Sequence, residues 1–112
     1  MAGSYVTINA KDGGQFRAYM AVPKSGKGPG IVLCQEIFGV NAYVRETADY
    51  YAEEGYVVLA PDLFWRLEPN VDMGYSPEVW VHVTCYIAWF WCTDQLVGFD
   101  LAIFEREDRL AL

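Results

Sequence analysis

The amino-acid sequence predicts an α/β domain in which an antiparallel hairpin precedes parallel strands that are joined through a helix. The first observation is the alternation of apolar and polar residues in SYVTINA and QFRAYMAV, which flank the turn sequence KDGG. The second is a pair of continuous apolar runs, IVLC and YVVLA, typical of strands buried on both faces of a parallel sheet. The third is a stretch of helical spacing between these two runs.

The two N-terminal segments have the pattern of strands with one buried face. Their apolar positions alternate with polar ones, as Val6 and Ile8 in the first segment and as Phe16, Ala18, Met20 and Val22 in the second. The glycines of KDGG permit the positive φ angles that a tight turn needs. We therefore predict two antiparallel strands here.

The residues between the apolar runs predict one helix. Asn41 is a good N-cap, and Gly55 can end the helix in the left-handed conformation. The residues of the expected inward stripe are Val44, Thr47, Ala48, Tyr51 and Ala52. A strand, a helix and a second strand of these lengths predict a right-handed crossover unit.

A second helix is predicted after Ser76, which is a candidate N-cap followed by Pro77 at the first helical position. Residues 79–92 are apolar on all sides except at His82 and Thr84. The segment VWVHVTCY also fits an alternating strand, so the sequence leaves open whether residues 79–92 are wholly helical. Beyond Ala88, the apolar residues at helical spacing that are predicted to face inward are Leu96, Phe99, Ile103 and Leu110.

The composition excludes some functions. The 112 residues fit a single domain, residues 1–112. With 15 acidic against 8 basic residues, the net charge of −7 opposes binding to nucleic acids and anionic membranes. The first residues do not have the pattern of a secretory signal, and three cysteines make no disulfide framework. We therefore expect a cytoplasmic protein.

His82, Cys85 and Cys92 are the residues that could form a metal site or a nucleophile pair. Their spacing matches no zinc module, and apolar neighbours tend to raise the pKa of a thiol, which disfavours a Cys85–His82 nucleophile. A packed histidine is the simpler interpretation. We expect no metal and no cofactor.

Residues 31–66 carry a family resemblance. The motifs that carry it are QEIFGVN at 35–41, RET at 45–47, GY at 55–56 and PDL at 61–63. With these motifs the chain resembles dienelactone hydrolase, also called carboxymethylenebutenolidase, of the α/β-hydrolase fold, from about residue 5 to residue 80. The resemblance implies the N-terminal half of such an enzyme, truncated before its nucleophile. It also implies four strands in the order 1-2-4-3 and two to three helices.

The resemblance also implies which parts of the active site are present. In the family, the glutamate matching Glu36 lies beside the nucleophile, and the backbone amide matching Ile37 lines the oxyanion hole. The nucleophile lies on a G-x-C-x-G elbow, which the 112 residues do not contain. The helix that carries a substrate-binding arginine in the family reads VWVHVTCYIAWFWC here and has none. Glu36 and Ile37 are therefore interpreted as an inherited, non-catalytic site.

The aromatic residues predict an interface. Because Trp89, Phe90 and Trp91 are consecutive, a helix directs them about 100° apart, and one sheet face cannot cover all three. The loss of polar residues from this helix is typical of a redesigned surface, and it suggests an engineered chain. The predicted interface residues are Ile31, Val32, Leu33, Cys34, Trp80, Val83, Ile87, Trp89, Phe90 and Trp91.

These observations favour a non-catalytic scaffold that forms a homodimer. The third strand, residues 31–36, would pair antiparallel with its own copy and join two sheets into one of eight strands, because the family's nucleophile strand is absent. One alternative is an engineered module that binds another protein through the aromatic helix. The other alternative is a residual thiol-dependent ester hydrolase.

Overall fold

In the computed structural model of the chain, residues 3–76 are described, and they form one mixed sheet with a helix on one face. The elements in chain order are β1 (Ser4–Asn9), β2 (Gln15–Ala21), β3 (Gly30–Val32), α1 (Ala42–Glu53) and β4 (Val57–Pro61). The strands follow the order β1-β2-β4-β3. This arrangement confirms the predicted fold class and the predicted strand order.

The hairpin of β1 and β2 forms where the glycines predict it. Ser4 pairs with Met20 at one end of the ladder, and Asn9 pairs with Gln15 at the other. The amide of Ala10 donates to the carbonyl of Gly14 at 2.8 Å and closes the turn. Gly13 has a φ of 91°, a conformation that glycine adopts without a steric penalty.

β4 lies in the middle of the sheet and pairs in two directions. It is antiparallel to β2 and parallel to β3. All five of its residues are buried, as predicted for residues 57–60 of the apolar run YVVLA, whereas Tyr56 at the start of that run precedes the strand and is exposed. The crossover from β3 through α1 to β4 supplies the parallel pair.

Both faces of the sheet contribute to the core. One cluster, on the face that α1 covers, consists of Tyr19, Ala21, Val40, Val44, Ala48, Ala52, Val58 and Ala60. The other consists of Ala18, Met20 and Leu59, with Val6, Ile8 and Val22 packed against it. The end of β2 is therefore buried on both faces, because β2 lies between two strands and α1 covers its Tyr19 and Ala21. The alternation predicted for β2 describes the burial of its first half only.

The limits of α1 agree with the sequence, but its inward stripe is narrower. The side-chain oxygen of Asn41 accepts a hydrogen bond from the amide of Val44 at 3.2 Å, and Gly55 has a φ of 99°. The buried positions are Val44, Ala48 and Ala52. Tyr51, predicted to face inward, is exposed and packs edge-on against Tyr50 and Tyr56. The two alanines hold α1 close to the sheet and leave no room for a large ring beneath it.

The strand β3 is shorter than predicted. The sequence predicts a strand over residues 31–36, whereas β3 ends at Val32. The amide of Leu33 still donates to the carbonyl of Leu59 at 2.9 Å, and the chain then leaves the sheet. The predicted helix after Ser76, including residues 79–92, lies outside the described residues.

An aromatic contact ties the hairpin turn to the segment that follows β4. The ring of Trp65 stacks on Phe16, with 5.2 Å between ring centroids, and the guanidinium carbon of Arg66 lies 4.2 Å from the centroid of the Trp65 ring. Arg66 also forms an ion pair with Asp12 at 2.6 Å. None of the helices in residues 3–76 is long and apolar enough to cross a membrane.

Candidate functional site

The candidate site is the loop that follows β3, residues 34–41, together with the segment of residues 62–75 that follows β4. We call residues 34–41 the site loop. β3 and β4 are parallel, so both segments leave the sheet at the same edge. In open α/β sheets, ligand sites lie at this carboxyl edge of the strands.

Gln35 joins the two segments at their base. Its side-chain oxygen accepts a hydrogen bond from the amide of Leu63 at 3.0 Å. Its side-chain nitrogen is buried and has no hydrogen-bond partner within residues 3–76. The amide group of Gln35 therefore holds the start of the site loop against the end of β4.

Glu36 is exposed at the surface of the site loop and is held there by one tyrosine. The hydroxyl of Tyr75 donates to its carboxylate at 3.3 Å. The ring of Tyr75 also packs edge-on against buried Phe38, with 4.6 Å between centroids. These two contacts place Glu36, Phe38 and Tyr75 in one group.

The turn of the site loop depends on Gly39. Its amide donates to the carbonyl of Glu36 at 3.3 Å, and its φ is 80°. A Cβ atom at this position would collide with the backbone carbonyl of Val71. The amide of Met73 donates to the carbonyl of Phe38 at 2.9 Å, so the segment after β4 lies directly against the loop.

Arg45 fixes the end of the site loop from the first turns of α1. Its Nη1 donates to the carbonyl of Val40 and to the carboxylate of Asp72, both at 2.7 Å. The same nitrogen reaches the hydroxyl of Tyr5 at 3.2 Å. The hydrogen bond with Asp72 raises the pKa of Arg45 further, so the guanidinium stays charged. Asn41 adds a hydrogen bond from its side-chain nitrogen to the carbonyl of Met73 at 3.2 Å.

Asp62 shapes the turn after β4 from a buried position. Its carboxylate accepts hydrogen bonds from the amides of Phe64 at 3.0 Å and of Asn70 at 2.7 Å. Burial raises the pKa of Asp62, and the two amide hydrogen bonds act in the opposite direction. Asn70 has a φ of 67°, a conformation that asparagine tolerates better than most residues.

The structure brings some of the predicted site residues together. Glu36 and half-buried Ile37 are neighbours on the site loop. Of the predicted interface residues, Ile31, Val32 and Leu33 are half-buried and Cys34 is exposed, and their interface role stays a prediction. The remaining predicted residues lie outside the described part of the chain: Trp80, Val83, Ile87, Trp89, Phe90 and Trp91, with His82, Cys85 and Cys92. Within residues 3–76, no three His, Cys, Asp or Glu side chains are grouped so that they could hold a metal ion.

Sequence reasoning assigned no site role to Arg45, Asp72 or Tyr75. Arg45 lies in the quoted motif RET, but nothing in the sequence connects it with Asp72, 27 positions away. Tyr75 is 39 positions from Glu36. Such pairs are set by the fold, and no local pattern indicates them.

A model of the Dienelactone hydrolase family matches residues 16–83, more than half of the chain. The chain belongs to the dienelactone hydrolase family. The carboxymethylenebutenolidase of Pseudomonas sp. (strain P51) is 43% identical over 74 residues, which are 66% of this chain and 31% of that protein. The carboxymethylenebutenolidase of Pseudomonas putida is 42% identical over 73 residues, 65% of this chain and 31% of that protein.

A solved structure shares the fold. A structure described as m3DLH is 27% identical, with a TM-score of 0.60, over 84% of this chain and 38% of that one. The chain spans about a third of the length of the two carboxymethylenebutenolidases named above. The described residues of this dienelactone hydrolase family chain include the carboxylate of Glu36 and the backbone amides of the site loop. The 112 residues contain no G-x-C-x-G elbow.

Proposed function

We propose that these 112 residues form a single, non-catalytic dienelactone hydrolase scaffold that self-associates as a homodimer through the outer edge of β3. One observation carries the proposal. Within residues 3–76, β3 lies at the end of the sheet and pairs with β4 alone. An edge strand of this kind presents backbone donors and acceptors to a second strand.

The backbone of β3 can be divided into inward and outward groups. The carbonyl of Pro29 accepts from Val57, and the amide of Leu33 donates to Leu59. Because backbone direction alternates along a strand, residues 29, 31 and 33 bond to β4, whereas Gly30 and Val32 face the open edge. Two outward residues per copy give a short antiparallel ladder across a two-fold axis.

The side chains along the edge support pairing with an apolar surface. Ile31, Val32 and Leu33 are each half-buried. The edge carries no proline, lysine or other charge that would oppose strand addition. In this proposal, the apolar residues of the segment 79–92 meet their copies near the same axis, and the whole interface reaches about 2,000 Å².

The proposal that the scaffold is non-catalytic rests on the sequence. Catalysis by the family needs a cysteine on a G-x-C-x-G elbow, and the cysteines here stand in LCQ, TCY and WCT. Cys34 is the exposed thiol of the described residues and lies on the site loop, so it is the residue to test for ester hydrolysis. We expect an activated ester to be hydrolysed equally slowly by the wild type and by Cys34→Ala. Loss of a clear turnover in Cys34→Ala would establish the hydrolase alternative.

Two further points of the proposal also rest on the sequence. The segment 79–92, apolar except at His82 and Thr84, is consistent with an engineered surface, and the unpaired exposed thiol of Cys34 is consistent with the reducing cytoplasm. If that surface serves a foreign protein, the isolated chain is a monomer. Light scattering therefore distinguishes the engineered binder from the homodimer.

The decisive experiment compares two variants, each of which adds one positive charge to a different edge strand of the sheet. Val32→Lys places a cation at the outer edge of β3, and Thr7→Lys places the same charge on an exposed position of the other edge strand, β1. We expect the wild type and Thr7→Lys to have twice the 12.7 kDa mass of the chain, and Val32→Lys to be a folded monomer. A monomeric wild type, or a dimeric Val32→Lys, would contradict the proposal.

A further inference from the structure

The outer side of α1 carries exposed tyrosines and glutamates. Tyr43, Glu46, Tyr50 and Glu54 follow one another at intervals of three or four residues, which places them on one face of the helix. All four are exposed in the described structure. We call these four residues, together with Tyr51 and Tyr56, the tyrosine face.

Three of the four rings of the tyrosine face pack against one another, and all four are exposed. Tyr43 and Tyr50 are 57% and 58% exposed, and Tyr51 and Tyr56 are each 37% exposed. Tyr50 packs edge-on against Tyr51 with 5.5 Å between centroids, and Tyr51 packs edge-on against Tyr56 at 6.3 Å. Tyrosines that combine apolar rings with polar tips are enriched where proteins bind one another.

The charges on this side of α1 are not explained by the stability of the helix. The first turn of α1 contains no acidic residue and its last turn contains no basic one. Glu53 and Glu54 instead stand at the C-terminal end, where the helix dipole favours cations. The single cation of the helix, Arg45, is directed away from the tyrosine face and bound to Asp72.

We propose that the tyrosine face is a docking surface for an arginine-rich segment of another protein. A guanidinium stacks on tyrosine rings and forms ion pairs with carboxylates, and this surface offers both groups side by side. This inference concerns a different surface from β3 and holds whether or not the chain forms a homodimer.

Charge complementarity separates this partner from the other occupants. A second copy bound through this face by a two-fold axis would bring its own Glu46 and Glu54 against those of the first copy, so like charges would face each other. Residues 79–92 of the same chain contain neither lysine nor arginine, and the segment EREDR carries more acids than bases. A cationic foreign segment is the occupant whose charge fits.

A fluorescein-labelled peptide of nine arginines tests the proposal by fluorescence anisotropy with the full chain. Tyr50→Ser removes a ring without changing the charge, and we expect it to weaken binding roughly two- to fivefold. Tyr43→Ser repeats the measurement at the other end of the face. Binding should also weaken with added salt, because the carboxylates are exposed.

A matched pair of charge variants separates docking from general attraction to an acidic protein. Glu54→Gln removes a carboxylate from the tyrosine face, and Glu68→Gln removes one from an exposed position elsewhere. We expect the first to weaken binding more than the second. Equal effects of the two variants, wild-type affinity in both tyrosine variants, or no binding at low salt would each overturn the proposal. A tyrosine variant that changes the mass in light scattering would instead assign the face to a second copy.

Discussion

The guanidinium of Arg45 donates a 2.7 Å hydrogen bond to the carboxylate of Asp72, 27 positions later in the chain. The same nitrogen binds the carbonyl of Val40 at the end of the site loop. Arg45 therefore connects α1, the site loop and the segment after β4. This connection makes Arg45 one of the side chains that fix the relative position of the two segments at the carboxyl edge of the sheet.

We predict that Arg45→Ala lowers the free energy of unfolding by about 1–3 kcal/mol, because a charged hydrogen bond to a carbonyl is lost with the ion pair. Asp72→Asn should cost less, under about 1 kcal/mol, since the pair is partly exposed and solvent screens it. Urea unfolding of both variants measures the two costs. A larger loss in Asp72→Asn than in Arg45→Ala would show that the carbonyl of Val40 contributes little.

Two glycines with positive φ angles test the close contact at the site loop. Gly39→Ala should lose at least about 2 kcal/mol, because an alanine there is strained and also collides with the carbonyl of Val71. Gly13 has a similar φ, but a Cβ atom there meets nothing within 4 Å. Gly13→Ala should therefore cost only the backbone strain, about 1 kcal/mol. Equal costs in thermal or urea unfolding would mean that the site loop moves away from Val71 easily.

The buried carboxyl of Asp62 should make the free energy of unfolding decrease as pH rises. Burial raises the pKa of its carboxyl in the folded state, so the folded protein binds this proton more tightly than the unfolded chain. The resulting stability is present below the pKa of the unfolded chain and is lost as pH rises through the higher, folded pKa. We therefore expect the stability of the wild type relative to Asp62→Asn to fall as pH rises from the acid range to neutrality.

The carboxyl of Asp12 should make the free energy of unfolding decrease as pH falls, which is the opposite of the effect of Asp62. The hydrogen bond from Arg66 lowers the pKa of Asp12 in the folded state. Its contribution is present above the pKa of the unfolded chain and is lost as pH falls through the folded pKa. The stability of the wild type relative to Asp12→Asn should therefore fall on acidification. Melting curves of the wild type, Asp62→Asn and Asp12→Asn across the acid range show how each stability difference changes with pH. Slopes of the same sign would contradict the opposite directions of the two pKa shifts.

Proline substitutions should separate the outer edge of β3 from its inner edge. Val32→Pro removes an amide that faces the open edge, so we expect the chain to lose its dimer but keep its fold. Leu33→Pro removes the amide that donates to Leu59 inside the sheet and should lower the melting temperature of the monomer itself. Light scattering and circular dichroism distinguish these outcomes. A folded dimer of Val32→Pro would place the interface elsewhere.

The sequence by itself determined the features that depend on a few neighbouring residues. The hairpin turn at Gly13, the cap at Asn41 and the helix end at Gly55 are all found where they were predicted. Each follows from backbone conformation or from a hydrogen bond within one turn of chain. The strand order was predicted through the family resemblance, which runs from about residue 5 to residue 80 and therefore includes the strands and the helix that set the topology.

The tertiary structure alone decided the contacts between distant segments. The pairing of Arg45 with Asp72 and of Glu36 with Tyr75 joins residues that no sequence period relates. Similarly, Val32 and Leu33 are equivalent edge positions in the sequence. In the sheet, the amide of Leu33 donates to β4, and the amide of Val32 faces the open edge. Local patterns report dihedral preferences and one-sided burial, whereas these pairings depend on which segments the folded sheet brings to the same edge.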